Sequence, residues 1–199
     1  MTMAATRPGG RPLVGSHVRL DPSTHEDAEG IFTALDHDVV WAAGYNGGPA
    51  NRPSEPSGWC DRMDAAVADE RVMYTVRLLD SGRVVGTTSL GDVDLVNERI
   101  HIGWTAYAPD VWSTAVNPEC KLLLLGHAFD DCGLGRVKLQ TDLINTRSQA
   151  AIAKLGATRE GVLRRHKRRA DGTFRDTVVF SILRDEWPDV RAGLQARLG

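Results

Sequence analysis

Apolar residues recur along this chain with two different periods, and the switches between them order its elements. Residues 13–22, LVGSHVRLDP, alternate apolar and polar positions as a half-buried strand does. Thr24 then stands as an N-cap, with Glu26 and Asp27 in the first turn of a helix through Ile31, Phe32 and Leu35. Residues 42–58, AAGYNGGPANRPSEPSG, read as a long loop because they are rich in Gly, Pro and Asn. Loops of that length are uncommon in compact domains unless functional or disordered, which makes this a candidate substrate-facing segment. Ser57 caps a second helix carrying Trp59, Met63 and Ala66.

Three strands follow. VMYTVRLL and RVVGTTSLGDVD turn at Asp80, Ser81 and Gly82, and RIHIGWTAYA is ended by Pro109. Residues 118–132 form a helix with Leu122, Leu125 and Phe129 at core spacing, stopped by Gly133. RVKLQTDL is a strand, and 147–155 is a short helix stopped by Gly156. TREGVLRRH and FRDTVVFSIL are the last two strands, joined at Asp171 and Gly172, and DEWPDVRAGLQARL is a terminal helix. Strands in a meander followed by helical crossovers predict a mixed sheet covered by helices.

Composition narrows the class without naming a chemistry. The 199 residues suit one domain, 13–199, after a flexible tail, 1–12, that holds Pro8, Gly9, Gly10 and Pro12. A chain that is 42% hydrophobic and 25% charged is an ordinary globular protein. Its net charge of -2 argues against bulk electrostatic binding to nucleic acid or to an anionic membrane. Cys60, Cys120 and Cys132 are an odd set without metal-like spacing, so reduced thiols in a cytoplasmic protein are expected, with no metal. The N-terminal residues lack an apolar core, and LLLL at 122–125 is too short to span a bilayer.

Candidate chemistry gathers at two helix starts. Asn117 is a good N-cap and Pro118 suits the first helical position, so free N–H groups and a positive dipole end form an anion site there. Ser113, Thr114 and Ala115 before it are small enough to let the backbone close around a pyrophosphate. The chain has no P-loop, and GLGRV at Gly133 lies between helix and strand, the wrong order for a dinucleotide fingerprint. At the second junction Asn145 ends a strand with an amide that can donate and accept, and Ser148 follows in the first turn of the next helix. Each, taken singly, reads as a cap before it reads as a site residue.

The run from 101 to 163 resembles the GCN5-related N-acetyltransferase (GNAT) superfamily, in its RimJ/RimL-like ribosomal-protein branch. The resemblance is carried by IGW at 102–104, by 112–121 at the pyrophosphate turn, and by NTRSQAAIAKLGATREGVL at 145–163. It implies an α/β (α+β) fold: a mixed, mostly antiparallel sheet with a splayed parallel strand pair, flanked by helices. It also implies acetyl-CoA between those strands, reaching Tyr107 and Leu143, against Trp104, Ala106, Asn145 and Ser148. The pyrophosphate is then expected on backbone N–H groups of Ser113, Thr114, Ala115, Val116 and Asn117. Asp110, Ser113 and Ala115 stand where the superfamily's turn usually has Arg or Gln, Gly, and Gly or Ala.

By the same resemblance the activity is acetyl transfer to a primary amine in a ternary complex. The acceptor is a peptide N-terminus or a small molecule; a homodimer is left open, and nucleic-acid contact is expected only at a ribosome. Backbone N–H groups from Trp104 to Tyr107 face the oxyanion, and Ser148 is the proton donor to the CoA sulfur. His166 is the expected base because it is the residue of its stretch suited to taking a proton near neutrality. Glu98 and His101 are alternatives acting through water. The basic run Arg159, Arg164, Arg165, Lys167, Arg168 and Arg169 is either a solvated face or a contact for an acidic acceptor, the CoA 3′-phosphate or ribosomal RNA. A catalytically degenerate acyl-CoA-binding or partner-docking module is the competing reading.

Overall fold

A computed structural model of the chain describes residues 4–169 and 171–199. β1 (Leu13–Val14), β2 (Val18–Pro22), β3 (Val72–Leu78), β4 (Val84–Asp94) and β5 (Arg99–Tyr107) form an antiparallel meander. β6 (Arg136–Asp142) lies parallel to β5. β7 (Thr158–Arg168) and β8 (Phe174–Leu183) are antiparallel to each other, and β8 is antiparallel to β6. The eight strands run in the order β1-β2-β3-β4-β5-β6-β8-β7, so the sheet is mixed and mostly antiparallel, as expected.

Six helices flank it: α1 (Ala28–Leu35), α2 (Asp38–Ala42), α3 (Ser57–Ala68), α4 (Val116–Gly126), α5 (Thr146–Ala153) and α6 (Trp187–Ala196). The expected inward residues of α3, Trp59, Met63 and Ala66, are all buried. Trp41, Trp59, Tyr74, Leu90, Ile100, Ile102, Leu124 and Leu125 are among the fully buried side chains of one continuous core. Fully burying such a side chain is worth about 1.5–3 kcal/mol, against about 0–1 for an exposed ion pair such as Arg83–Asp110. Apolar packing therefore decides the fold. Among the described residues no helix is long and apolar enough to cross a membrane.

Four local expectations are corrected. The strand at 13–22 is two short strands, because the chain turns at Gly15 to give three N–H groups to one carboxylate. Glu119, buried on α4, accepts from Ser16, His17 and Val18, each at 2.7 Å. A Cβ on Gly15 would lie 2.4 Å from the Glu119 carboxyl carbon, so glycine is what permits this approach. Helix α4 starts at Val116 rather than at Pro118, with Asn117 inside its first turn. Pro118 is tolerated there because an N–H at the third position has no partner within the helix. The helix then continues through one π turn, His127–Asp131, before Gly133 stops the chain at a φ of +63°.

The fourth correction concerns the loop at 42–58. It is preceded by the unexpected α2, which buries Val40 and Trp41, and it contains two 3-10 turns, Tyr45–Gly47 and Pro49–Asn51. Tyr45 packs edge-on against Trp41 at 5.1 Å, and the Arg62 guanidinium covers the faces of Trp41 and Trp59 at 5.5 and 5.2 Å. Of the tail, the described residues lie along the body: Pro8 is buried and the Thr6 N–H donates to the Cys132 carbonyl at 2.8 Å.

Because Glu119 ties α4 to the edge of the sheet, Glu119→Ala is expected to destabilise the chain by about 3 kcal/mol, the worth of charge-assisted hydrogen bonds lost from a buried carboxylate. Urea denaturation checks this, with the midpoint falling at an unchanged slope.

Candidate functional site

The pairing of β5 with β6 covers Arg99–His101 against Arg136–Lys138 and then stops. Beyond it each strand follows its other neighbour, β5 along β4 as far as Tyr107 and β6 along β8 as far as Asp142. A bulge helps to separate them. The β4–β5 register breaks between Thr87 and Ser89, and Trp104 opposite takes a φ of +49°. The result is a cleft of about 710 Å³ between the parted strands, continuing to the starts of α4 and α5. Backbone groups of β5 from Ile102 onward have no β6 partner, and those that β4, Tyr45 and Trp112 do not take up are free to meet a ligand.

His101 sits at the last pair before the strands part, 3% exposed and lining the cleft. Neither ring nitrogen has a hydrogen-bond partner among the described residues, which for a buried imidazole calls for a reason. Nδ1 is 3.5 Å from an Asp92 carboxylate oxygen, a charge contact longer than a well-made hydrogen bond. Nε2 and Cε1 lie over Gly103, where a Cβ would come within 2.5 Å of both. Trp104 covers the ring at 4.7 Å, and Arg71 covers Trp104 at 4.6 Å. Burial lowers the His101 pKa, with Asp92 opposing the shift, so the imidazole is neutral at physiological pH. Asp92, beside His101 and Lys138, is held well below the usual carboxylate range.

Opposite, Ser113 in the turn before α4 has a φ of +64°, the left-handed conformation that glycine would adopt more easily. Ser113, Thr114 and Asn117 line the cleft; Ala115 and Val116 do not, and the Val116 N–H is taken at 3.3 Å by the Thr114 hydroxyl. Asp110 points its charge away, to Arg83 at 2.7 Å. At the start of α5 the Asn145 side chain caps the helix by accepting the Ser148 N–H at 2.9 Å. Arg147 from the same turn lays its guanidinium over Trp112 at 3.4 Å. That places a cation between the two helix starts.

The cleft thus brings together Trp104, Ala106, Tyr107, Ser113, Thr114, Asn117, Asn145 and Ser148. His166 and Glu98 lie outside it. His166 is turned to the Thr177 hydroxyl at 3.0 Å and lines a separate shallow hollow, because β7 bulges between Leu163 and Lys167. Glu98 lies in the β4–β5 turn, 3.3 Å from Arg184. Leu143 also points elsewhere, its N–H donating to the Asp176 carbonyl. The sequence reading missed Asp92, Tyr45, Lys121, Arg147 and Arg175. Lys121 could have been found from its place one turn into α4: it is buried, donates to the Thr105 hydroxyl at 3.0 Å, and has its pKa lowered by burial to about 8. Cys120 beside it is a packing residue, its thiol pushed up to about 12 by burial.

A family model described as the Acetyltransferase (GNAT) domain matches residues 17–158. The uncharacterized N-acetyltransferase YoaA of Bacillus subtilis (strain 168) is 26% identical over 163 residues, 81% of this chain and 90% of that protein. A GCN5-related N-acetyltransferase from Brucella melitensis superposes with a TM-score of 0.88 at 25% identity, over 97% of this chain and 87% of the other. Mycobacterium smegmatis RimJ in complex with CoA-disulfide shares the fold, with a TM-score of 0.76 at 22% identity over 90% and 88% of the two chains. The parted strands and the turn before α4 are therefore those of an acyltransferase fold. The chain belongs to the GNAT acetyltransferase family.

The buried setting of His101 has a direct signature. Its imidazole is expected to titrate in NMR below the ordinary value of about 6.5, and Asp92→Asn moves the midpoint lower still, because the carboxylate is what supports the protonated ring. A midpoint at or above the ordinary value contradicts this setting.

Proposed function

We propose that this chain moves an acetyl group from acetyl-CoA to a primary amine by direct attack in a ternary complex, on the RimJ/RimL-like branch of its family. The observation that carries the reading is a neutral, buried imidazole with unpartnered nitrogens at the apex of a cleft whose other end is a helix start. The residues present suit the cofactor: small side chains and a left-handed Ser113 before α4, a cation at Arg147, and unpaired backbone along β5. Acetyl-CoA supplies the activated thioester.

The turn from Ser113 to Asn117 and the Arg147 guanidinium hold the pyrophosphate, through backbone donors and charge. Backbone N–H groups of β5 between Trp104 and Tyr107 stabilise the developing oxyanion. His101 takes the proton of the attacking amine at Nε2, and Asp92 fixes the tautomer by facing Nδ1. This assignment replaces His166 and Glu98, which face away from the cleft. The Ser148 hydroxyl returns a proton to the departing sulfur. Positioning of amine and thioester in one cleft supplies much of the rate, as it does whenever two reactants are held together.

Thiol release from acetyl-CoA, measured with a panel of amines and N-terminal peptides, tests the reading. His101→Ala is expected to lower kcat by about 10²–10⁴ at an unchanged KM for acetyl-CoA. In the wild type kcat falls on the acid side, at a pH below the ordinary imidazole range because burial lowers the His101 pKa, and this limb is absent from the variant. CoA binding without acceptor-stimulated thiol release would sink the proposal.

A further inference from the structure

We infer that the acceptor carries an anionic group beside its amine and that Lys167 and Arg175 hold that group. The inference rests on the acetyl-transfer reading above and names the acceptor class it leaves open. Lys167 and Arg175 face each other directly across the β7–β8 pair, and both line the cleft. Like charges directly opposed on neighbouring strands are destabilising, so this pair needs a counter-charge.

Among the described residues the two carboxylates that act on the pair, Asp142 on Arg175 and Asp92 on Lys167, do so from a distance and are already engaged. Asp142, the carboxylate that lines this end of the cleft, is buried and taken by Arg169 at 2.7 Å. Asp92 is taken by Lys138 at 2.9 Å. Among the described residues neither Lys167 nor Arg175 has a carboxylate within 4.0 Å. The Arg175 Nε is buried without a hydrogen-bond partner, a costly state for a guanidinium that an incoming carboxylate or phosphate would relieve. Arg168 adds a further positive charge on the same rim. The excess is local, since the whole chain carries a net charge of -2.

Position relative to the base limits what the anion can belong to. Lys138 pairs with His101 in the sheet, and Lys167 and Arg175 line the same cleft as His101. An amine attacking beside His101 therefore has its own neighbouring substituents within reach of Lys167 and Arg175. The phosphates of CoA have a separate set of cations toward α5, Arg147, Lys154 and Arg197. Tyr45, Asn46 and Asn51 line the cleft as neutral polar groups, and among the described residues no carboxylate besides Asp142 lines it to welcome a second positive charge. The chemistry selected is a primary amine bearing a carboxylate or phosphate; polyamines and lysine-rich N-termini are repelled.

Matched acceptor pairs test this and distinguish the two sources of the anion. Alanine against alaninamide probes a free α-carboxylate; Asp-Ala-Ala-amide against Asn-Ala-Ala-amide probes an acidic first side chain. In at least one pair the charged member is expected to have a kcat/KM tenfold or more above the neutral one. Arg175→Gln and, independently, Lys167→Gln should erase most of that ratio through the acceptor KM, leaving the acetyl-CoA KM unchanged and, since each relieves the like-charge pair, the melting temperature no lower. Equal turnover within both pairs overturns the inference, and so does a variant that raises the acetyl-CoA KM instead. If no acceptor is turned over, calorimetric titration of the same four compounds into CoA-saturated protein decides separately. Charge-dependent binding lost in Arg175→Gln supports the anion site while the acetyl-transfer reading fails, and binding indifferent to charge removes the site.

Discussion

The pairing of β5 with β6 holds the two parts of the sheet together and ends at His101 and Lys138. A parallel pair this short cannot be stable alone; each strand is kept in place by a longer antiparallel neighbour, β4 on one side and β8 on the other. Those neighbours leave β5 and β6 free to diverge without losing their backbone hydrogen bonds on the outer side. The divergence exposes a stretch of β5 backbone in a place walled by protein. It also sets His101 at the apex, among the residues lining the cleft, with both ring nitrogens buried.

The second requirement is that the elements around the opening be tied down. Glu119 does this for α4 by gathering the N–H groups of the β1–β2 turn. Because Asn117 and Pro118 in the first turn of α4 line the cleft, a carboxylate serving the sheet edge also fixes one wall of the opening. Trp41, Trp59 and Arg62 do the same for the segment carrying Tyr45, whose hydroxyl is 3.4 Å from the Trp104 carbonyl. A glycine-rich stretch is thereby given one arrangement by an aromatic cluster behind it.

The basic run divides by strand geometry. β7 is an edge of the sheet, and Arg159, Arg164 and Arg165 on it are exposed, the kind of charge that keeps an edge from pairing with another chain. Beyond the bulge, toward the end of β7, Lys167, Arg168 and Arg169 line the cleft. One run of similar residues thus does two unrelated jobs.

What the sequence determined by itself was most of what depends on near neighbours, with α2, the split of the first strand and the start of α4 as exceptions. The strands and helices follow from hydrophobic period, caps and breakers, which is why Trp59, Met63 and Ala66 were legible as one buried face. The Asn145 and Ser148 junction was legible for the same reason: a cap and the N–H it accepts lie three residues apart. Tertiary structure alone decided which distant side chains meet. A strand's side chains alternate between faces, and a bulge interrupts the ladder that orders them. From Leu163 to Lys167 β7 advances four residues while β8 advances two, from Thr177 to Arg175; in the looped-out stretch His166 is turned to Thr177, and Lys167 rejoins the pairing opposite Arg175, where both line the cleft. Asp92 and His101 meet across two strands and a second irregular register, a contact that no spacing in the chain encodes.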